Sequence, residues 1–435
     1  MAVPQEHAMS TPSPGQEQTT SALPTVTLTA ALALLSFVMP LATDMYLPAF
    51  PRMADELNTD ASGVQFTLTS FLIGTAAGQL VLGPLSDRYG RRTPILVGAA
   101  VCTVATALCA VAPNLSVLIV LRFVTGFSGA AGLVVGRAVV ADVASGAAAA
   151  RLFGVLMALG GIAPIAAPLA GGAVVDDAGG WRGVFWVLAG VSLLTFLAAL
   201  AFIPESLPKE RRRADGMAAT SQAARSVLTD RAYVGYTLAF AFGCGALFCY
   251  IAGSPFLLQN VLGFSVGEAS IAFSVGALTA TVSSTVSTKL VGTYAPGLLL
   301  RVGLTALLAA TTAALLVTLA GRLDRVLALS LIGIGFLGLG QVFGTATALA
   351  IERGPHAAGT GSAVLGTLQG VLGAVLAPLV GLGGKDTATP LFIGMAGCSL
   401  VAVLSLLLTR NSPPVAEPSG APADGAPEST ASAAT

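Results

Sequence analysis

Charged residues are scarce in this chain of 435 residues, at 10%, whereas hydrophobic residues make up 54%. A soluble globular domain carries about 25% charged residues, so this chain lacks the polar side chains to cover two or three soluble domains. Its 21 lysines and arginines are balanced by 21 aspartates and glutamates. Without a basic excess, nucleic-acid binding has no electrostatic basis. The composition therefore predicts an integral membrane protein in contact with a lipid bilayer.

Histidine and cysteine are also rare, and neither forms a cluster that suggests a metal site. The histidines are His7 and His356, and the five cysteines lie in apolar stretches without zinc-site spacing. The segment 383–386, Gly-Gly-Lys-Asp, lacks the hydroxyl and the spacing of a P-loop. No constellation of His, Cys and Asp supports a hydrolytic site. We therefore expect no metal, no cofactor, no use of ATP and no enzymatic activity.

Twelve segments are long and apolar enough to cross a bilayer as helices, a task that takes about 20 residues each. Strands of a membrane β-barrel would instead alternate apolar and polar residues. We number the segments as spans 1 to 12 and the loops by the spans they join. The predicted spans lie near 26–47, 64–85, 93–112, 115–140, 151–173, 183–203, 232–258, 267–289, 297–320, 326–349, 358–382 and 388–409.

The two ends of the chain differ from the spans. Residues 1–25 contain no lysine or arginine and are rich in Ser, Thr, Pro and Gln, so span 1 does not have the basic flank of a signal peptide. Residues 411–435 are rich in Pro, Ala and Ser. We predict a disordered cytoplasmic tail at each end.

Basic residues concentrate in the loops that follow an even-numbered span, above all in loop 2–3 and loop 6–7. Positive charge marks the cytoplasmic side, so the sequence predicts a multi-pass protein of the cell membrane, the inner membrane where there are two, with both termini in the cytoplasm. The longest internal loop, 205–231, separates two six-span halves, 26–204 and 232–410. Such a duplication is typical of secondary transporters.

Loop 2–3 contains an ordered motif, G-P-L-S-D-R-Y-G-R-R, at positions 83–92. A basic turn that only obeys the positive-inside rule is the simpler interpretation of its arginines. The whole string, however, resembles the signature G-x-L-a-D-r-x-G-r-r/k of the major facilitator superfamily. The resemblance implies an all-α membrane fold of twelve helices in two pseudo-symmetric six-helix halves. It also implies a conformational gate that locks the halves together on the cytoplasmic side, formed by Gly83, Asp87, Arg88, Gly90, Arg91 and Arg92.

Arg122 lies inside span 4, where a charged side chain costs about 2.5–3.5 kcal/mol on insertion scales. It either snorkels to the interface or faces the protein interior. The glycines at 126, 129 and 132 favour close helix packing, since no strand precedes them as a dinucleotide site requires. Together, R-F-V-T-G-F-S-G-A-A-G resembles the superfamily's span-4 motif, which implies a role for Arg122 in proton coupling. Thr125 replaces the usual glutamine.

Span 5 holds an unusual density of glycine and proline between 160 and 172. These residues kink helices and allow close packing. The run resembles the "antiporter" motif g-x-x-x-G-P-x-x-G-G of exporters in the superfamily, with alanine before Pro164 and a second proline added. The residues assigned to this motif are Gly160, Pro164, Pro168, Gly171 and Gly172.

Asp44 is the clearest acidic residue within a span. It is either an interfacial acid or a carboxyl group in an apolar cavity, where ionisation is costly and a proton can be taken up and released. The segment D-M-Y-L-P-A-F-P resembles span 1 of the bicyclomycin and chloramphenicol resistance branch of drug:proton antiporters. Segments of spans 7 and 11 resemble the same branch, so the resemblance covers about 25–410. Ser36 replaces a second acid of some relatives, which favours neutral or lipophilic substrates over cations.

The resemblance implies proton-coupled efflux of small antibiotics by alternating access, with substrates that are chloramphenicol-like, florfenicol-like or bicyclomycin-like, or a multidrug range. We expect the protein to be monomeric. Asp44 and Arg122 are the candidates for proton coupling, and Tyr46, Tyr250 and Gln259 for substrate binding. Two alternatives stay open at this point. The protein is an exporter of a sugar or secondary metabolite, or it is a facilitator without proton coupling. A channel would need neither the duplication nor the loop 2–3 motif.

Overall fold

The computed structural model describes residues 26–176, 179–212, 229–291, 293–353 and 358–409, and these residues form helices and short connections without β-strands. Twelve of the helices are long and apolar enough to cross a membrane. The predicted tails and most of loop 6–7 lie outside the described residues. The spans are Val26–Asp44, Ala61–Tyr89, Arg92–Ala110, Leu115–Val143, Gly146–Asp176, Gly180–Phe202, Arg231–Phe256, Val266–Leu290, Pro296–Leu319, Arg325–Arg353, Ala358–Val380 and Thr389–Ser405.

The twelve predicted spans are confirmed, and most of them differ from the observed helices only at the ends. Side-chain caps explain several of the beginnings. Asp60 accepts a hydrogen bond from the backbone N–H of Gly63, and Asn114 accepts one from Val117, at the start of spans 2 and 4. Span 1 is prolonged by a 3-10 turn, Leu47–Ala49, and a short helix, Phe50–Glu56.

The outer surface of the helix bundle is apolar. Large hydrophobic side chains are exposed on most spans, for example Leu80, Val104, Leu194, Val282 and Leu316. A soluble protein rarely exposes extended apolar surface, whereas lipid solvates it. The structure therefore agrees with a multi-pass membrane protein.

Spans 2 and 4 approach each other so closely that their backbones touch. A Cβ atom added to Gly126 would overlap the carbonyl oxygen of Phe71, and one added to Gly74 would overlap that of Phe123. Gly129 packs against the side chain of Met39 in span 1. The close helix packing predicted for the span-4 glycines agrees with these contacts, and at Gly126 the backbone of span 2 leaves room for glycine alone.

Spans 2 and 11, and spans 5 and 8, pack across the boundary between the first six spans and the last six. Hydrogen bonds join these two groups at the end of the molecule that carries loops 1–2, 7–8 and 11–12, here called the odd-loop end. Span 2 supplies three of the donors: Ser62 to the carbonyl of Pro378 (3.0 Å), Gln65 to Ala252 (2.9 Å) and Thr69 to Ala374 (3.0 Å).

The proline in span 11 explains one of these bonds. Pro378 has no N–H, so the carbonyl of Ala374, four residues earlier, has no donor within its own helix. The Thr69 hydroxyl of the opposite group supplies that donor. The odd-loop end is closed further by an ion pair between Lys385 and Asp55, at 2.8 Å.

Candidate functional site

A cavity of about 520 Å³ lies between the two groups of spans, and Asp44 is the one charged side chain among the described residues that line it. Asp44 is the last residue of the first helix and is only 5% exposed. It forms no hydrogen bond or ion pair with the part of the chain that the structure describes. A buried carboxylate without a partner is costly, so this group favours the uptake of a proton or of a ligand that donates a hydrogen bond.

The walls of the cavity come from both groups of spans. Span 5 contributes Pro164 of the predicted antiporter motif and the neighbouring Gly161, and span 8 contributes three hydroxyl side chains. Most of the remaining wall is apolar. The lining residues are Asp44, Met157, Ala158, Gly161, Pro164, Leu247, Ile251, Phe273, Ala277, Ala280, Thr281, Ser284, Thr285, Phe336 and Phe343. A mostly apolar cleft with a few polar groups is the usual form of a small-molecule site.

Arg122 is fully buried, which excludes snorkelling to the interface. Its guanidinium lies 4.1 Å from the ring centroid of Phe71 and 4.3 Å from that of Tyr46. One Nη donates to the carbonyl of Ala42 at 3.1 Å, while the Nε and the other Nη have no partner among the described atoms. The positive charge is thus held by aromatic faces and a backbone carbonyl, two residues before Asp44.

Asp44 and Arg122 do not form an ion pair, and Arg122 is not among the residues that line the cavity. The structure places the arginine behind span 1 and the carboxyl group in the cavity wall. Any effect of Arg122 on Asp44 therefore acts through the position of span 1 and through the electric field.

Tyr46 is fully buried in an aromatic cluster around Arg122, and its hydroxyl lies 3.4 Å from that of Thr67. It packs against Phe50 and Phe185, with ring centroids 5.0 and 5.7 Å away. The structure places this candidate substrate ligand beside Arg122 rather than in the cavity wall.

Tyr250 and Gln259, the other two candidate ligands, have different positions. The ring of Tyr250 packs on Phe273 and Phe336, with centroids 5.5 and 5.0 Å away, directly behind these two cavity-lining side chains. Its hydroxyl has no hydrogen-bond partner among the described atoms. Gln259 donates to the carbonyl of Pro48 at 2.9 Å, so it joins span 7 to the extension of span 1 at the odd-loop end.

The motif in loop 2–3 is organised around Arg91. Its guanidinium forms ion pairs with Asp87 and, at 3.0 Å, with Asp142 at the end of span 4, and it donates to the hydroxyl of Ser86. These bonds connect spans 2, 3 and 4 within the first six spans. Arg88 lies over the ring of Tyr89, 5.5 Å from its centroid.

Glu205, just after span 6, completes this network and was missed by the sequence analysis. Its carboxylate accepts hydrogen bonds from the backbone N–H groups of Arg91, Leu207 and Arg92, and it pairs with Arg212. Burial acts to raise the pKa of Glu205, but these donors and Arg212 outweigh it and the pKa lies below its ordinary value. The carboxylate is therefore held in its ionised form.

Two glycines of the loop 2–3 motif have different surroundings. Gly90 has a φ of +96°, and an added Cβ would overlap the carboxylate of Glu205. Both the backbone conformation and the close approach require glycine at this position. An added Cβ on Gly83 would meet Val134 at an ordinary distance of 3.4 Å. Arg92 contributes a hydrogen bond to the carbonyl of Leu200, at 3.0 Å.

The glycines at the end of the antiporter motif allow two helix contacts next to the cavity. A Cβ on Gly171 would overlap the carbonyl oxygen of Met45, the residue after Asp44. A Cβ on Gly172 would overlap the hydroxyl of Ser270 in span 8. Span 5 thus touches span 1 beside the carboxyl group and also touches the opposite group of spans.

The prolines of the motif remove hydrogen-bond donors from span 5. Pro164 lines the cavity, and Pro168 lines a small pocket near Gln259. Because proline has no N–H, the carbonyls of Gly160 and Pro164, four residues before each proline, have no donor within the helix. An added Cβ on Gly160 would meet no atom within 4 Å.

Span 8 provides the hydroxyl groups of the cavity, Thr281, Ser284 and Thr285, which the sequence analysis also missed. The signal was present as a run of Ser and Thr with three- and four-residue spacing within an apolar span. As for metals, the described residues contain no group of three or more His, Cys, Asp or Glu side chains that could hold an ion.

In the part of the chain that the structure describes, twelve spans in two groups surround a cavity with one buried carboxyl group. This arrangement is that of a multi-pass membrane transporter. The chain belongs to the Major Facilitator Superfamily, which it matches over residues 32–378. This is a family of transporters and not of enzymes. The structure of this chain is similar to that of the nucleoside transporter NupG, with a TM-score of 0.69. The two are 15% identical over 88% of this chain and 100% of that one.

Among the relatives are an uncharacterized transporter and two proteins named for antibiotic resistance. The chain is 36% identical to the MFS-type transporter YdgK of Bacillus subtilis, over 83% of this chain and 89% of that protein. It is 32% identical to a chloramphenicol resistance protein of Pseudomonas aeruginosa, over 84% and 87%. It is 30% identical to a bicyclomycin resistance protein homolog of Haemophilus influenzae, over 87% and 96%. These similarities support the drug:proton antiporter branch that the motifs indicated.

Proposed function

We propose that this protein exports small, neutral antibiotics of the phenicol or bicyclomycin type from the cytoplasm in exchange for protons. The observation that carries the proposal is Asp44, a buried carboxyl group that has no partner among the described residues and lies in the wall of a cavity of about 520 Å³ between the two groups of spans. The named resistance functions of two relatives supply the substrate class.

The carboxyl group explains how a neutral drug and a proton can exclude each other. An ionised carboxylate accepts hydrogen bonds from a hydroxyl or amide group of the drug, whereas protonation removes the charge that makes such bonds strong. Either ligand relieves the cost of the buried charge. Each therefore lowers the affinity for the other, and this reciprocal coupling is what exchange requires.

The cost of burying an ionised Asp44 also prevents the transporter from changing its conformation without a bound proton or drug. If the cavity closed around an empty, ionised Asp44, the charge would lose its water without gaining a partner. Alternating access then proceeds only with a proton or a drug bound. In the proposed orientation the odd-loop end is external, and the hydrogen bonds there close the cavity to the outside.

The test is drug-driven proton movement in inverted vesicles with chloramphenicol as the probe. We expect chloramphenicol to drive proton movement in the wild type and not in Asp44→Asn. Asp176→Asn is a matched control, because this carboxylate pairs with Arg52 away from the cavity. Proton movement that persists in Asp44→Asn would show that another group carries the proton. Chloramphenicol transport by the wild type without proton movement would indicate an uncoupled facilitator.

A further inference from the structure

Span 8 has three different faces. One face packs on span 10, where the hydroxyl of Ser283 donates to the carbonyl of Leu337 at 2.6 Å. A second face exposes Leu278 and Val282, as a lipid-facing surface does. The third face carries hydroxyl groups and lines the cavity. An exposed polar face within a membrane span is tolerated where it borders a water-filled cavity, so this face is accessible to a ligand.

The third face includes Thr281 and Thr285, and the hydroxyl group of each donates its hydrogen bond within the helix. Thr281 donates to the carbonyl of Ala277 and Thr285 to that of Thr281, each at 2.9 Å. A hydroxyl oxygen that donates its proton in this way still has lone pairs available. Toward the cavity, these two side chains are therefore hydrogen-bond acceptors. Four residues of helix separate them by about 6 Å along the axis.

A second observation points to a ligand at the same place. Asp44 lines the same cavity, is only 5% exposed, and has no partner among the described residues. An ionised carboxylate has no proton to donate, so Asp44 in this form can only accept hydrogen bonds. On the apolar side, Phe273, Phe336 and Phe343 provide aromatic surface. The cavity thus combines acceptors on span 8 and span 1 with aromatic rings.

We propose that Thr281 and Thr285 determine substrate specificity by accepting hydrogen bonds from donors, hydroxyl or N–H groups, along one edge of a neutral drug whose apolar part packs on the phenylalanines. This inference rests on the proposed drug export and specifies which drugs bind best. It predicts a preference for substrates with two or more donors over analogues in which a donor is replaced by an atom of similar size.

Thiamphenicol and florfenicol form a matched pair of probes, because florfenicol has a fluorine atom where thiamphenicol has its terminal hydroxyl. Binding of each drug to the purified, full-length protein is measured for the wild type, Thr281→Val, Thr285→Val and Thr285→Ser. Valine keeps the shape of threonine and removes the acceptor, whereas serine retains it. Thr279→Val is the control, since Thr279 makes the same bond to its own helix but does not line the cavity.

We expect the wild type to bind thiamphenicol more tightly than florfenicol. At least one of the two cavity valine variants should weaken thiamphenicol binding by about twofold to tenfold and leave florfenicol binding nearly unchanged. Thr285→Ser and Thr279→Val should behave as the wild type does. This pattern would not arise from a structural defect, which would weaken both drugs.

Equal loss for both drugs, or no loss in either valine variant, overturns the assignment. Drug-driven proton movement by the wild type would then still support export, so the two failures are distinguishable. If the wild type binds neither drug, the assignment and phenicol export both fail. If binding shows the expected pattern while proton movement is absent, the acceptor role stands and proton coupling fails.

Discussion

Thr69→Val removes the hydroxyl that joins span 2 to the carbonyl of Ala374 across the two groups of spans. That carbonyl has no donor in its own helix because of Pro378, so the substitution leaves a buried acceptor unsatisfied in the closed arrangement of the odd-loop end. When this end opens, water can reach the carbonyl and the penalty disappears. We therefore expect the variant to favour opening.

The size of the effect follows from the cost of an unsatisfied buried acceptor, about 1–3 kcal/mol. This cost changes the ratio of closed to open molecules by a factor of roughly 5 to 150. Thr75→Val is the matched control, because Thr75 lies on the same span and, within the described residues, its hydroxyl bonds to the carbonyl of Phe71 in its own helix rather than across the two groups.

Spin labels report the ratio directly. Val111→Cys at the end of span 3 and Arg322→Cys in loop 9–10 place one label on each group of spans, and both positions are exposed. The described native cysteines are buried, which limits unwanted labelling. We expect a longer distance to gain population in Thr69→Val and not in Thr75→Val. An equal shift in both variants, or none in either, would refute the role of the orphan carbonyl.

Two further predictions concern the charges outside the cavity. Glu205→Gln should remove part of the loss of thermal stability that the wild type shows on acidification, because a carboxylate with a lowered pKa stabilises the fold above about pH 4.5 and loses this contribution as the pH falls through its folded value. Arg122→Met should raise the melting temperature, because it removes a buried charge that has one hydrogen bond and no carboxylate partner among the described residues. It should also abolish drug-driven proton movement, because the bond from Arg122 to the carbonyl of Ala42 holds span 1 two residues before Asp44.

Melting curves of the purified protein between pH 3 and 7 (about the range that the Glu205 carboxylate requires) check the first of these predictions. A wild type and a Glu205→Gln variant with parallel pH profiles would contradict it. For Arg122, a lower melting temperature in the methionine variant would show that the contacts of the guanidinium with Phe71 and Tyr46 outweigh the cost of its burial.

Much of the architecture was predictable from the sequence because a bilayer imposes a strong and local rule. Each span must satisfy its backbone within one helix and present apolar side chains to lipid, so length and hydropathy identify it. The number of spans and their approximate limits are therefore confirmed. The position of Asp44 in a cavity agrees with the same rule, since an ionisable group within a span needs a water-filled or protein interior.

Other features depended on tertiary structure. Arg122 and Asp44 both stand out in the sequence, but only the packing of span 1 shows that one lies behind the helix and the other faces the cavity. Tyr46 and Gln259 read as possible ligands from their type, whereas the fold uses them in an aromatic cluster and a bond between the groups. The fold places the hydroxyl face of span 8 at the cavity and the carboxylate of Glu205 beside Arg91, and neither position is visible in the sequence.

The sequence by itself determined which segments cross the membrane, where the motif G-P-L-S-D-R-Y-G-R-R lies and which charged residues fall within spans, because each of these is a property of a single segment in lipid. Tertiary structure alone decided which faces of the helices enclose the cavity and which polar groups meet across the two groups of spans. Those relations join residues hundreds of positions apart, such as Thr69 and Ala374. They depend on which helices cross at their small residues, and the sequence does not specify those pairs of helices.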